Sequence, residues 1–420
     1  MMRSMFSAIS GLKNHQTFMD VVGNNIANVN TTGFKQARVT FQDILSQTIR
    51  GASGPQNGRG GVNPEQVGLG VLLNGIDTIQ TQGTLQSTGK LTDMAIQGDG
   101  YFVVNDGRQN FYTRDGAFDL GIDGTLLNPA SGLKVMGWQA DPITGAVNTT
   151  TPPTSITIPI GAGMTGRAST VLTETGNLDS GAATGATGAV PLSATVYDSL
   201  GNAHQITLTF TKSAADTWGL TIGTTETGVT AALTGSTSVR FTTLGHYDTV
   251  NNTGPYTATL TFGGTSAGAG ATSPLSFTLD MTQMTQLAAP SNLSSNTDGA
   301  SAGNLTTFTV GSSGEITGVY SNGYKQPLGQ IALASFANPN GLLKAGGNLF
   351  STSPNSGNAA IGVPDTGGRG QIATGFLEGS NVDLAQQFTN MIMAERGFQA
   401  NSRVITTSDE ILQDLVNIKH

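Results

Sequence analysis

The sequence predicts a mainly β protein with terminal α-helices: two nested β-rich domains plus an α-helical coiled-coil pair formed by the N- and C-terminal ends. Three observations carry this prediction. Apolar residues recur at a seven-residue helical period only at the two chain ends. Between them, short β-branched runs alternate with turn dipeptides such as Asp99-Gly100, Asp106-Gly107, Asp115-Gly116, Asp123-Gly124, Ser131-Gly132, Ser313-Gly314 and Asn322-Gly323. Glycine fills 58 of 420 positions and charged residues only 11 %, so the exterior is mostly Ser, Thr, Asn and Gln.

The first helix is read from Met5, Leu12, Met19 and Ile26, with Ile9 and Val22 widening the stripe. Asn24, Asn25, Asn28 and Asn30 then crowd its end. Asparagine amides compete for backbone groups inside a helix, so two uses are open. Asn24, Asn25 and Asn28, with Gln16, could hydrogen-bond to a partner helix and set its register. For Asn28 and Asn30 capping is the simpler use, and Gly33 adds a further stop signal.

The last helix repeats the pattern with Leu384, Met391, Phe398, Ile405 and Leu412, thickened by Val404, Ile411, Leu415 and Ile418. Ser380 and Asp383 precede it at capping-box spacing. A helix over 384–418 would be about 50 Å long.

Strands are expected at YFVV from 101, ITLTF from 206 and YTATLTF from 256. The predicted organisation is nested. Residues 1–30 with 380–420 form a terminal helical polymerisation domain. Residues 31–70 with 366–379 are extended linkers, because RGASGPQNGRGGVNPEQVGLG and PDTGGRGQIATG carry almost no core-forming side chains. Residues 71–145 with 295–365 form an inner β domain, and 146–294 an inserted outer one with loops at SGAATGATGA and TSAGAGATS. Trp138 and Trp218 are expected in the two β cores.

A helix with an apolar seam must bury it, and pairing the two ends is the cheapest solution. Two helices still leave apolar outer faces, which stacking of many copies would cover. The expected polymerisation interface is therefore Met5, Ile9, Leu12, Met19, Val22, Ile26, Leu384, Met391, Phe398, Ile405, Leu412 and Leu415.

Other classes are disfavoured. A net charge of −8 and pI near 4.9 do not suit nucleic acid. Cysteine is absent, which removes thiol catalysis and thiolate metal sites. His15, His204, His246 and His420 show no ligand spacing, and His15 is placed on a helix flank. Gly161, Gly163 and Gly166 spell G-x-G-x-x-G, but RASTVLTETG follows where a helix should open. TGKL at 88 lacks the Ser or Thr that would hold magnesium. Asp409-Glu410 reads as a solvated helix face. No enzyme activity, cofactor or metal is expected. No apolar run is long enough to insert in a membrane, and the broken MFSAISGL segment gives no cleavable signal peptide.

SAISGL at 7, NNIANVNTTGFK at 24 and the C-terminal stretch from GFLEGSNVDLAQQF onward resemble the paired terminal signatures of bacterial flagellar rod and hook axial proteins. LTDMAIQGDGYFVV, FYTRDGAFDLGIDGTLLN and YSNGYKQPLGQIALASFANPNGL resemble the β region of that family. The resemblance covers about 1–145 and 300–420, and the large insertion resembles the hook branch. It implies a self-assembling, bent hollow tube on the bacterial flagellum, acting as a universal joint between motor and filament. It further implies export by the flagellar type III apparatus and contact with distal rod, hook cap and hook–filament junction proteins. A cysteine crosslinks some spirochaete members; this chain has none. The rivals are a distal rod protein, whose family members are shorter, and an extracellular glycan-binding adhesin, which would want clustered aromatics.

Overall fold

Two proline-free runs form the helices: α1 spans Met2–Ala27 and α2 spans Leu384–Asn417. The computed structural model describes residues 2–417 apart from 56–59, 143, 162, 165, 253 and 264–269. Ile418, His420, part of the 50–70 stretch and most of the expected loop TSAGAGATS lie outside the described residues. α1 and α2 pack against each other, and α2 is about 50 Å long.

Asp383 Oδ1 starts α2 by accepting the amides of Ala385 (2.9 Å) and Gln386 (3.2 Å). This corrects the capping-box expectation. Asp383 is itself the N-cap, and Ser380 Oγ accepts the amide of Val382 (3.3 Å) one turn earlier. At the other end, Asn28 Nδ2 folds back on Asn24 O (2.9 Å) and Oδ1 (2.7 Å), closing α1. Asn30 is exposed beyond that end.

The segment expected to be a linker is a β ribbon. β1 (Ala37–Asp43) pairs antiparallel with β4 (Val71–Thr78), and β2 (Ser46–Arg50) with β3 (Glu65–Gly68). Backbone pairing needs no core side chains at the tip, so a composition argument could not see it. Residues 71–78 thus belong to the ribbon rather than to the inner domain. The return chain is not an open linker either: Gln371–Thr374 pairs with Met94–Gln97, and Phe376–Glu378 with Leu85–Ser87.

Among the described residues one sheet of 14 strands follows, drawn from 101–164 and 303–362. Its hairpins turn at the expected dipeptides. Tyr101–Asn105 pairs with Asn110–Thr113 across Asp106-Gly107, and Glu315–Tyr320 with Lys325–Ile331 across Asn322-Gly323. Phe102, Val104, Phe118, Ile316 and Ile331 fill a core on one face, and Tyr101, Val103, Tyr112 and Phe350 a smaller one on the other.

Residues 171–297 form a two-sheet sandwich. Strict alternation in Leu192-Ala194-Val196, Ile206-Leu208-Phe210 and Leu275-Phe277-Leu279-Met281 points one face of each strand inward. Val171–Asp179 lies parallel to Leu275–Leu287, which a crossover connection makes possible; here that crossover includes the second sheet. Trp218 is fully buried in this core, its indole donating to Gln286 Oε1 (3.3 Å). Trp138 is buried on the inner sheet and donates to Thr151 O (2.7 Å).

Candidate functional site: the terminal helix pair and its base

The helix pair is antiparallel and in one unbroken register. Gly11 faces Asn401, His15 faces Gly397, and Asn25 Nδ2 donates to Gln387 Oε1 (3.2 Å). Each step along α1 is matched by an equal step back along α2. Met5, Leu12, Met19 and Ile26 lie half-buried in the seam, with Ala8 and Val22 fully inside it. On α2, Met391, Phe398, Ile405 and Leu412 are half-buried. The alternate seam positions of α2 are Gln387, Ala394, Asn401 and Ser408, three of them buried.

Those small and polar residues let the backbones approach. A Cβ on Gly397 would sit 2.5 Å from the His15 ring, and one on Gly11 would sit 2.8 Å from Asn401 Nδ2. His15 is therefore in the seam, not on a flank. An apolar-stripe search passes over such positions by construction.

Of Asn24, Asn25, Asn28 and Gln16, Asn25 is the one with a hydrogen bond across to α2. It is 1 % exposed, its Nδ2 donates to Ala37 O (2.8 Å), and its Oδ1 accepts Ala37 N (2.9 Å). It thus binds α2 and β1 at once. Gln387 completes the link by donating to Gln36 Oε1 (3.1 Å). Asn24 and Asn28 bond to each other within α1, and Gln16 is exposed. Gly33 is no helix cap. With φ at 67° it lets the chain cross beneath Asp115, and its amide donates to Glu378 O (2.8 Å).

That crossing leads to an ionic knot that sequence reasoning missed. Lys35 Nζ meets Glu378 Oε1 at 2.6 Å and Thr81 O at 2.7 Å; Arg114 Nη1 meets Glu378 Oε2 at 3.3 Å. All three side chains are at most 4 % exposed. Gly83 N also donates to Glu378 Oε1 (2.9 Å), and Asn381 Nδ2 to Ile79 O (2.9 Å). Burial pulls the Lys35 pKa below its ordinary value against the opposing pull of Glu378. Stripping one partner from such a group leaves an uncompensated charge at a cost of about 3–5 kcal/mol. The knot therefore ties the chain leaving α1, the chain leaving the ribbon, the chain entering α2 and the inner sheet into one base. Its only sequence signal is charge inside two glycine-flanked signatures, GFK and GFLEG.

The outer faces of the pair remain apolar. Phe6, Ile9, Leu384, Phe388, Ile392, Met393, Val404, Ile411, Leu415 and Val416 are each at least 40 % exposed. Leu384 and Leu415 keep the seam register but lie beyond the two ends of α1 and stay exposed, while Ile9 lies on the outer flank of α1. Val404 and Ile411 do not thicken the seam. On α2 the exposed apolar residues flank the seam on both sides, Phe388 and Ile392 on one and Val404 and Ile411 on the other. Ile44, Leu45 and Ile49 extend apolar exposure onto the ribbon.

Among the described residues no cluster of His, Asp and Glu is arranged to hold a metal, and no helix is long and apolar enough to cross a membrane. Gly161, Gly163 and Gly166 open no helix, and Lys90 of TGKL pairs with Asp119 (3.0 Å). His204, which shows no ligand spacing in the sequence, is enclosed by two carboxylates. Its Nδ1 is 2.7 Å from Glu226 Oε2 and its Nε2 3.4 Å from Asp198 Oδ2.

The class the fold and site define is a β body carried between two paired terminal helices with exposed apolar outer faces. Four family models match in order along the chain: flagella basal body rod protein at 5–35, the flagellar hook protein FlgE/F/G D1 domain at 95–178, the flagellar basal body protein FlaE D2 domain at 167–324, and the flagellar basal body rod FlgEFG protein C-terminal region at 373–418. The flagellar hook protein FlgE of Borreliella burgdorferi is 41 % identical, with 100 % of both chains covered. The flagellar basal-body rod protein FlgG of Bacillus subtilis is 34 % identical, again over 100 % of both. The crystal structure of Helicobacter pylori flagellar hook protein FlgE2 shares the fold, with TM-score 0.52 at 17 % identity, covering 70 % of this chain and 100 % of that one. The chain belongs to the flagellar hook protein FlgE family.

Proposed function

We propose that the protein is a structural subunit of the flagellar hook, located at the hook and basal body, whose terminal helix pairs stack from copy to copy into an inner tube. The observation that carries this is the exposed apolar residues on both flanks of α2, Phe388 and Ile392 on one side and Val404 and Ile411 on the other, which the chain's own seam leaves uncovered. In this reading Met5, Leu12, Met19, Val22, Ile26, Met391, Phe398, Ile405 and Leu412 build the pair. Ile9, Leu384 and Leu415, joined by Phe388 and Ile392, make the contacts between pairs. Residues 1–30 with 380–420 act as the polymerisation domain, and the two β units form outer layers. The tube bends as a universal joint because contacts between polar outer domains re-form at low cost. Its role is structural and needs no cofactor. The subunit leaves the cell through the flagellar type III apparatus, and its neighbours at the tube ends are distal rod, cap and junction proteins.

Phe388→Asp with Ile392→Asp tests the reading. The double variant should keep the helicity of the full chain yet fail to form tubes by electron microscopy, with loss of swimming. Normal tubes would overturn it. A second reading, a distal rod protein, is favoured by the match to a rod-named relative across 100 % of both chains. Micrographs of a deletion strain separate the two, since a hook subunit leaves a finished rod and a rod subunit does not.

A further inference from the structure

Among the described residues the outer sandwich joins the inner sheet through two antiparallel chain segments, with Gly163, Met164, Gly166 and Arg167 going out and 300–304 coming back. Gly163 pairs with Asn304 and Met164 with Gly303; Arg167 and Ala300 exchange both backbone bonds, at 2.9 and 3.0 Å. Two strands alone would make a hinge. Here each domain sends a turn against them.

From the outer side comes the turn 198–202. Asp198 Oδ1 accepts the amides of Leu200 and Asn202, both at 2.8 Å. The buried His204, itself held by Glu226, anchors Asp198 to the sandwich. Gly201, at φ 84°, rests on the neck so closely that a Cβ there would lie 2.7 Å from Gly166 Cα and 2.8 Å from Ala302 N. From the inner side comes the turn 320–324. Asn322 Nδ2 donates to Ser301 O (2.6 Å), Ser321 N to Asn304 O (2.9 Å), and Tyr324 OH accepts Arg167 Nη1 (2.7 Å). Gly166 of the G-x-G-x-x-G spacing is where this packing needs bare backbone, since a Cβ there would lie 2.1 Å from Gly201 Cα.

We infer that the neck is a locked joint: the two turns clamp the connecting strands, and the outer domain moves with the inner one as a single body. Resting on the hook reading, this puts the bending of the tube between copies rather than inside each copy. The neck itself is testable on the unassembled chain, so its failure is separable from a failure of assembly.

The absence of native cysteine allows spin labels at Gln109→Cys and Ser193→Cys, one exposed site on each domain. In the full-length chain, pulsed electron resonance should give one narrow distance distribution. Gly201→Val should shift and broaden it while thermal melting of the sandwich persists. Tyr324→Phe, which removes a single oxygen, should broaden it less. A parent distribution already broad, or a folded Gly201→Val chain with the parent distribution, overturns the inference. Should Gly201→Val fail to fold, Arg167→Ala decides by the same readout: broadening supports the lock and an unchanged distribution overturns it.

Discussion

Glu174 is the residue whose chemistry is most at odds with its surroundings. It lies on the core face of the strand Val171–Asp179, with no exposed surface. Ser295 Oγ donates to its Oε1 (3.0 Å), and its Oε2 is buried without a hydrogen bond. Burial, only partly offset by Ser295, pushes its pKa from 4.5 up to about 7. The folded chain therefore holds a proton that the unfolded chain releases within that window, and stability falls as pH rises through it. The loss is of the order of 3 kcal/mol. Glu174→Gln should abolish this slope and melt above the parent at pH 8 by calorimetry; parallel pH profiles for the two chains would refute the assignment. Glu378 is equally buried but differently supplied. It meets two cations and a backbone amide, whereas Glu174 meets one hydroxyl.

At the scale of elements, the helix pair is held by close approach as much as by apolar side chains. Filling Gly397 or Gly11 should therefore be costly. Gly397→Leu would drive a side chain into His15 and Gly11→Leu one into Asn401, with overpacking costs of about 1–3 kcal/mol. A Cβ added to Gly23, also in α1, would meet nothing within 4 Å, so Gly23→Ala should stabilise the unassembled helix by about 0.5–1 kcal/mol. Helical melting followed by circular dichroism checks both signs. If all three variants shift alike, seam packing is not what distinguishes these glycines.

At the scale of the whole molecule, rigidity and compliance are segregated. The knot at Lys35, Glu378 and Arg114 ties the helix base to the inner sheet, and the clamped neck ties the outer sandwich to that sheet. Each copy then behaves as a stiff strut, and a tube that bends while rotating must slide at its wet, charge-poor contacts. A cysteine pair bridging the outer sandwiches of neighbouring copies should lock the tube into one curvature and impair swimming under oxidising conditions, with recovery on reduction. Unimpaired swimming with the bridge formed would sink the sliding account.

The sequence by itself determined the local features. Helical periodicity placed α1 and α2, and turn dipeptides placed the hairpins at Asp106-Gly107 and Asn322-Gly323, because each depends on residues close together in the chain. The terminal signatures carried the family for the same reason. Tertiary structure alone decided which positions of the seam face are covered, since Leu384 and Met391 share that face and differ in burial only because α1 reaches one and not the other. It alone turned a glycine-rich linker into a paired ribbon, whose stability lies in backbone hydrogen bonds. It also brought Lys35 to Glu378 and Gly166 to Gly201, contacts between distant segments for which no local pattern exists.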